Sequence, residues 1–118
     1  MSTPAHRLEP RLRFPVKARA AFGPGKAELL RLIAATGSIR RSASRMAMSY
    51  NRAWTLVREI NGLFREPLVA SARGGAAGGG ASLTDSGEEV LARYTRMEAA
   101  CLKATRRDWE ALRRRLRR

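Results

Sequence analysis

The sequence is short of the residues on which most enzyme and metal chemistry depends. Its 118 residues contain one cysteine, Cys101, and one histidine, His6. A single cysteine excludes a disulfide within the chain and a zinc site made of several cysteines. A single histidine excludes a histidine-based nucleophile pair or ligand set. The few paired acids fall in a region of helical spacing, where a solvated face is commoner than a catalytic pair. We therefore expect a protein that is not an enzyme and has no metal site.

Long apolar runs are also missing. No run approaches the length of a membrane span, and the first residues lack the apolar core of a signal peptide. These absences predict a cytoplasmic protein with no membrane partner. Positive charge, by contrast, is abundant, because 24 Lys and Arg stand against 10 Asp and Glu and give a formal charge of +14. Such an excess makes polyanions the first candidate partners, with nucleic acid ahead of anionic membranes.

The first third of the chain predicts a tail, a strand and a helix. Residues 1–10 contain two prolines and few apolar side chains, which is typical of a flexible tail. Residues 11–17 (RLRFPVK) alternate apolar and polar side chains, which predicts an edge strand. Gly23-Pro24-Gly25 then forms a turn into a helix with an apolar face, and Gly37 is a natural helix terminator.

Residues 38–64 predict two helices around a tight break. Ser38 is a suitable N-cap for a short helix with small or flexible side chains on one face. Ala47-Met48-Ser49 forms the break, and Ser49 can cap the next helix. From Ala53 to Phe64, apolar residues recur with helical spacing, which leaves a polar and cationic stripe on the opposite side. Trp54 lies on the flank and is expected to belong to the core.

The last part of the chain predicts a hairpin and a long helix. Two short strand candidates flank residues 73–80 (RGGAAGGG), a glycine-rich tip. Thr84 then caps a helix of about 30 residues, roughly 45 Å long. So small a domain cannot cover that length, so the apolar stripe that begins at Val90 and Tyr94 predicts contact with a second copy of the chain.

The order of these elements predicts a mainly α fold with a small β wing, a winged helix-turn-helix followed by a long C-terminal dimerisation helix. The expected divisions are a tail (1–10), the winged helix-turn-helix (11–83) and the long helix with its basic end (84–118). In such a fold the recognition helix, about residues 49–64, enters the major groove. The wing, about residues 67–83, lies on the backbone or minor groove.

The chain also resembles a known family over roughly residues 20–100. The segment FGPGKAELLRLIAATGSIRRSASRMAMSYNRAWTLVREINGLFREPLV, a glycine-rich wing and LTDSGEEVLARY are similar to the N-terminal, LysR-type DNA-binding domain of the ModE family. The family consists of molybdate-responsive transcription regulators. The resemblance implies a homodimer joined partly through the long helix, and DNA contact through the helix that opens at Ser49.

The resemblance stops short of the family's molybdate sensor. In full-length members molybdate binds a separate C-terminal domain, whereas this sequence ends in RRRLRR at residue 118. None of the sensor's residues can be carried over. The expectation is therefore a stand-alone DNA-binding version without a cofactor, with any molybdate response supplied by a separate sensor protein.

Ten residues are predicted to contact double-stranded DNA. Asn51 and Arg52 are the candidates for base edges, since asparagine pairs with adenine and arginine with guanine. Arg58 is assigned to a phosphate, and the arginines of the short helix to the backbone. The full set is Ser49, Tyr50, Asn51, Arg52, Thr55, Arg58, Arg40, Arg41, Arg45 and Arg73.

Two rival functions remain open from the sequence. The first is a nonspecific architectural nucleic-acid-binding protein, in which charge matters and base sequence does not. The second is a peripheral membrane or protein-interaction module, because the tail from Lys103 to Arg118 is basic and amphipathic.

Overall fold

The computed structural model describes residues 6–71 and 80–117. Its architecture is mainly helical, with four helices and two small antiparallel sheets in that part of the chain. The sheets pair neighbouring strands, β1 (Phe14–Lys17) with β2 (Ala20–Phe22), and β3 (Val69–Ser71) with β4 (Ala81–Leu83). The mainly α composition with a small β part is therefore as predicted.

The N-terminal hairpin contains one strand that was predicted and one that was not. β1 begins at Phe14, within the predicted edge strand, and its residues are exposed. β2 carries the buried side, because Ala21 and Phe22 are part of the core. Phe22 also contacts three other rings: it stacks on Phe14 at 5.5 Å and meets Phe64 and Tyr94 edge-on. The hairpin thereby covers one end of the helical core.

Three helices follow, with the predicted boundaries. Helix α1 (Pro24–Thr36) starts with proline in its first turn and ends at Gly37, whose φ of 68° is left-handed. Helix α2 (Ile39–Arg45) is capped by Ser38, and α3 (Tyr50–Leu63) by Ser49. The apolar stripe of α3 is buried as expected: the core contains Ala53, Leu56, Val57 and Ile60.

The last helix, α4 (Asp85–Arg113), has 29 residues and extends about 43 Å. Thr84 caps it by accepting a hydrogen bond from the Gly87 amide at 3.0 Å. Asp85 and Glu88 lie in its first turn and Arg113 in its last, which matches the helix dipole. Its first half packs on α1 and β4, while its second half extends past them.

Candidate nucleic-acid interface

The turn between α2 and α3 sets the direction of the second helix. Ala47 adopts a left-handed backbone with φ of 55°, a conformation that is unusual for a residue other than glycine. The Met48 amide donates to the Ala43 carbonyl at 3.0 Å, which closes the turn on the end of α2. The buried, small side chain of Ala43 allows α3 to cross close to α2. These contacts fix α3 against α2, with its first turn at the protein surface.

The first turns of α3 present polar groups to solvent. Asn51, Arg52 and Arg58 are exposed. The Ser49 hydroxyl accepts a hydrogen bond from the Arg52 amide at 3.0 Å, so its structural task is to cap the helix. The half-buried Thr55 donates its hydroxyl to the Asn51 carbonyl at 3.0 Å. The structure therefore brings Asn51, Arg52 and Arg58 together on one open face, with Ser49 and Thr55 supporting it.

The cations of this face have no acidic partner among residues 6–71 and 80–117. Arg52 and Arg58 form no salt bridge there, and neither do the three arginines of α2. The one acid of α3, Glu59, is exposed on the same side of the helix as Arg52, about two turns further along, and lies 3.4 Å from the Lys26 ammonium of α1. A surface whose arginines form no salt bridge, and whose one acid is engaged by Lys26, is suited to an anionic ligand.

Arg40 and Tyr50, predicted as separate contacts, lie against each other. The Arg40 guanidinium carbon is 4.2 Å from the centre of the Tyr50 ring, a cation–π contact. Tyr50 in turn meets Trp54 edge-on at 6.3 Å. Trp54 is half-buried and packs against the core, as expected for a residue on the flank of α3. All three arginines of α2 are exposed, and Arg40 alone of them contacts the Tyr50 ring of α3.

The base of the β3–β4 hairpin is bonded to the far end of α3 through Asn61. Its amide oxygen accepts from the Leu68 and Val69 amides at 2.8 and 3.0 Å, and its amide nitrogen donates to the Val69 carbonyl at 3.1 Å. Sequence reasoning missed this residue. Its position beside the apolar residues at the end of α3 was the one available sign that its side chain bonds within the protein.

The same backbone is bonded to the start of α4. The Thr84 hydroxyl donates to the Pro67 carbonyl at 2.7 Å, and the Thr84 amide donates to the Leu68 carbonyl at 2.9 Å. Gly87 packs so closely that an added Cβ would lie 2.1 Å from the Leu68 carbonyl oxygen. The sequence Leu83-Thr84-x-x-Gly87 thus has a physical explanation: Thr84 caps α4, and Gly87 lets the helix lie close to the Leu68 carbonyl. We call residues 67–69 with their contacts to Asn61, Thr84 and Gly87 the hairpin base.

Tyr94 and Arg31 hold the first half of α4 to the rest of the domain. The buried Tyr94 hydroxyl donates to the Leu12 carbonyl at 2.6 Å. Burial, and then the charge of Glu98, raise the pKa of Tyr94 above its ordinary value, with Arg31 and Arg11 acting in the opposite direction. The Arg31 guanidinium bonds Glu98 at 2.7 Å and the Thr95 hydroxyl at 3.1 Å.

Beyond Glu98 the apolar stripe of α4 opens to solvent. Cys101 and Trp109, both on this stripe, are half-exposed. Leu112 is 58% exposed, and Met97 and Leu116 are also exposed. Residues 6–11 lie beside Leu102 and Trp109 and form a groove with them. The second half of α4 therefore keeps much of its apolar surface uncovered within one chain.

Arg73 and most of the glycine-rich tip lie outside the described residues. Across residues 6–71 and 80–117, no three His, Cys, Asp or Glu side chains come together as a metal site. None of the helices in the same part of the chain combines the length and the apolar character that crossing a bilayer requires.

Comparison with known proteins gives several relatives. The chain is 43% identical to the molybdenum-pterin-binding protein MopB of Rhodobacter capsulatus over 84 residues, which are 71% of this chain and 31% of MopB. It is 36% identical to the molybdenum transport protein ModE of Azotobacter vinelandii over 94 residues, 80% of this chain and 35% of that protein.

A third relative is the DNA-binding transcriptional dual regulator ModE of Escherichia coli K12, 41% identical over 71 residues, or 60% of this chain and 27% of that protein. The chain thus spans about a third of the length of these relatives or less. No family model matches it.

Proposed function

Because this chain is similar to MopB and to ModE proteins over about a third of their length or less, we propose that it is a DNA-binding transcription regulator. In this proposal α2, the turn at Ala47 and α3 form a helix-turn-helix, and β3 and β4 form its wing. Residues 11–83 constitute the winged helix-turn-helix. The recognition helix, residues 49–64, enters the major groove and reads sequence.

The observation that carries the proposal is the open face of α3. Asn51, Arg52 and Arg58 are exposed on the side of α3 opposite its buried stripe. Asparagine and arginine are the side chains that pair in two-point fashion with adenine and guanine in the major groove. We assign base contact to Asn51 and Arg52, and phosphate contact to Arg58, Arg41 and Arg45. Arg73 is assigned to the wing's contact with backbone or minor groove.

Arg40 and Tyr50 have a further part in this assignment. Their contact at 4.2 Å orders the guanidinium before any ligand arrives. A side chain already held in one conformation loses less entropy on binding. We therefore assign Arg40 to a phosphate beside the first turn of α3, with Tyr50 as its support.

We also propose that two chains associate through α4. The exposed Met97, Leu112 and Leu116 continue the stripe that Tyr94 buries within one chain. Two copies would cover these side chains and present two α3 helices to successive major grooves, about 34 Å apart. Light scattering at micromolar concentration is expected to show a dimer, and a monomer would contradict this part.

The proposal assigns no cofactor to the chain. Any response to molybdate is assigned to a separate sensor protein. The expected melting temperature is the same with and without molybdate. A clear rise on addition of molybdate would show direct binding and overturn this assignment.

The central test compares specific and nonspecific binding. A duplex selected from a random library is titrated against a scrambled duplex, with wild type, Asn51→Ala and Arg52→Ala. Each substitution is expected to weaken the selected site by about 1–3 kcal/mol and the scrambled duplex by much less. Arg19→Ala is the control, since it removes an exposed charge from the N-terminal hairpin. An equal loss on both duplexes would instead indicate the nonspecific architectural function.

A further inference from the structure

Helix α4 carries a second cationic surface, separate from the face of α3. Arg96, Lys103 and Arg107 of α4 and its C-cap residue Arg114 are all exposed, and they follow one another at intervals of seven, four and seven residues. At roughly 100° per residue, these intervals place all four within about 40° of each other around the helix. The row is about 27 Å long at 1.5 Å per residue. We call these four residues the basic stripe.

The charge of the basic stripe is not neutralised by its own helix. Three acids of α4 are paired with other residues: Glu89 with Arg93, Glu98 with Arg31, and Glu110 with Arg113. In the described part of the chain no stripe residue forms a salt bridge. Glu110 lies between Arg107 and Arg114 on the same side of the helix, but its carboxylate is bonded by Arg113 and not by a stripe residue.

The basic stripe points away from the body of the domain. Tyr94, which packs into the core, lies about half a turn around α4 from Lys103. The groove formed with residues 6–11 includes Leu102 and Trp109 but none of the four stripe residues. Contact between two chains through the apolar stripe would likewise leave the opposite side of α4 open.

We propose that the basic stripe is a second, sequence-independent binding surface for duplex DNA. Phosphates are bound by lysine and arginine without any need for apolar contact. The row of about 27 Å is comparable to one turn of the duplex, about 34 Å. It adds backbone contacts outside the site read by α3.

A bilayer surface fits the same residues less well. Helices that lie on membranes insert apolar side chains below their basic ones. In α4 the exposed apolar side chains lie on the side of the core and of residues 6–11. Between its cations, the side of the basic stripe carries Ala99, Ala100, Glu110 and Ala111, with no large apolar side chain. A membrane would therefore meet charge without an apolar anchor.

The test uses the full chain and a duplex of random sequence, about 30 base pairs long, measured by fluorescence anisotropy over a series of salt concentrations. The variant K103Q/R107Q/R114Q removes one lysine and two arginines from the stripe. The control K17Q/R19Q/R13Q removes the same charges and residue types from exposed positions of the N-terminal hairpin. Circular dichroism melts establish that both variants are folded.

The stripe variant is expected to bind at least about tenfold more weakly near 0.1 M salt, with a salt slope smaller by about 2–3, because each lost phosphate contact reduces it by about 0.9. The control is expected to lose no more than about threefold through the overall field. Equal losses and equal slopes in the two variants would overturn the proposal. So would stripe-dependent binding to vesicles of phosphatidylserine and phosphatidylcholine that exceeds binding to the duplex.

This inference is independent of base reading by α3. The stripe substitutions are therefore repeated in an Asn51→Ala/Arg52→Ala background. Loss of selectivity with retention of the stripe effect would support both surfaces. A stripe effect in a protein that never had selectivity would support the basic stripe and contradict the proposed specific regulator.

Discussion

Asn51 and Asn61 are the same residue type on the same helix, and their surroundings are opposite. Asn61 uses its amide oxygen and nitrogen in three hydrogen bonds to Leu68 and Val69. The side chain of Asn51 is exposed and has no hydrogen-bond partner within the described residues. Asn61 therefore stabilises the fold, whereas the amide of Asn51 is accessible to a ligand.

The contrast extends to the regions around the two residues. The hairpin base joins α3, the β3–β4 hairpin and α4 through short hydrogen bonds and one close glycine contact. The face around Asn51 contains cations without acidic partners in the described residues. Unpaired donors are costly in a core but cost little in water, so their concentration at one surface points to binding.

The largest effect is expected from crowding the hairpin base. Gly87→Ala places a methyl group against the Leu68 carbonyl, and neither backbone can move without breaking the bonds of Thr84. We expect a loss of about 3 kcal/mol in the free energy of unfolding, measured by urea denaturation. The control is Gly62→Ala on α3, where an added Cβ meets no atom within 4 Å. It is expected to stabilise by about 0.5–1 kcal/mol. Similar effects at both glycines would contradict the close packing at the hairpin base.

The second prediction compares the loss of stability when each of the two asparagines is replaced by alanine. Asn61→Ala leaves the Leu68 and Val69 amides without their acceptor and is expected to cost about 2 kcal/mol of stability. Asn51→Ala is expected to change stability by no more than about 0.5 kcal/mol, because the side chain is exposed. The melting temperatures of the two variants, compared with wild type, test both expectations. Equal destabilisation would contradict the structural role of Asn61 and the open position of Asn51.

A smaller effect is expected at Tyr94. Tyr94→Phe removes the hydrogen bond to the Leu12 carbonyl and is expected to cost about 1 kcal/mol. Since burial raises the pKa of Tyr94 in the folded protein, the folded state favours the neutral phenol. Its contribution is complete below the ordinary tyrosine pKa and is lost as the pH rises through the folded value.

Unfolding of wild type and Tyr94→Phe is therefore compared from neutral pH to above pH ~10. The difference in stability should shrink at the alkaline end. A difference that stays constant over this range would contradict a raised pKa of Tyr94 in the folded protein.

The helix boundaries could be predicted because their signals are local. Ser38, Ser49 and Thr84 cap the helices that follow them, and Gly37 ends α1 with a left-handed backbone. Each of these depends on a few neighbouring residues and the geometry of one helix end. The break at residues 47–49 was predicted for the same reason.

The features that were missed depend on contacts distant in the sequence. Strand β2 contains Ala20 and Ala21, which give no alternating pattern, and it exists because it pairs with β1. Asn61 acquires its role from the Leu68 and Val69 backbone, and Arg40 from the ring of Tyr50. For α2 and α3, the sequence therefore indicated which side chains are exposed, but not which of them are already engaged within the protein.

The hairpin base has a mechanical consequence. The backbone of residues 67–69 is bonded to α3 on one side and to α4 on the other, with no intervening linker. A rotation of α4 must therefore carry α3 with it. In the proposed dimer, the rigidity of this joint would fix the distance between the two α3 helices. The spacing of the two DNA half-sites would then be fixed as well.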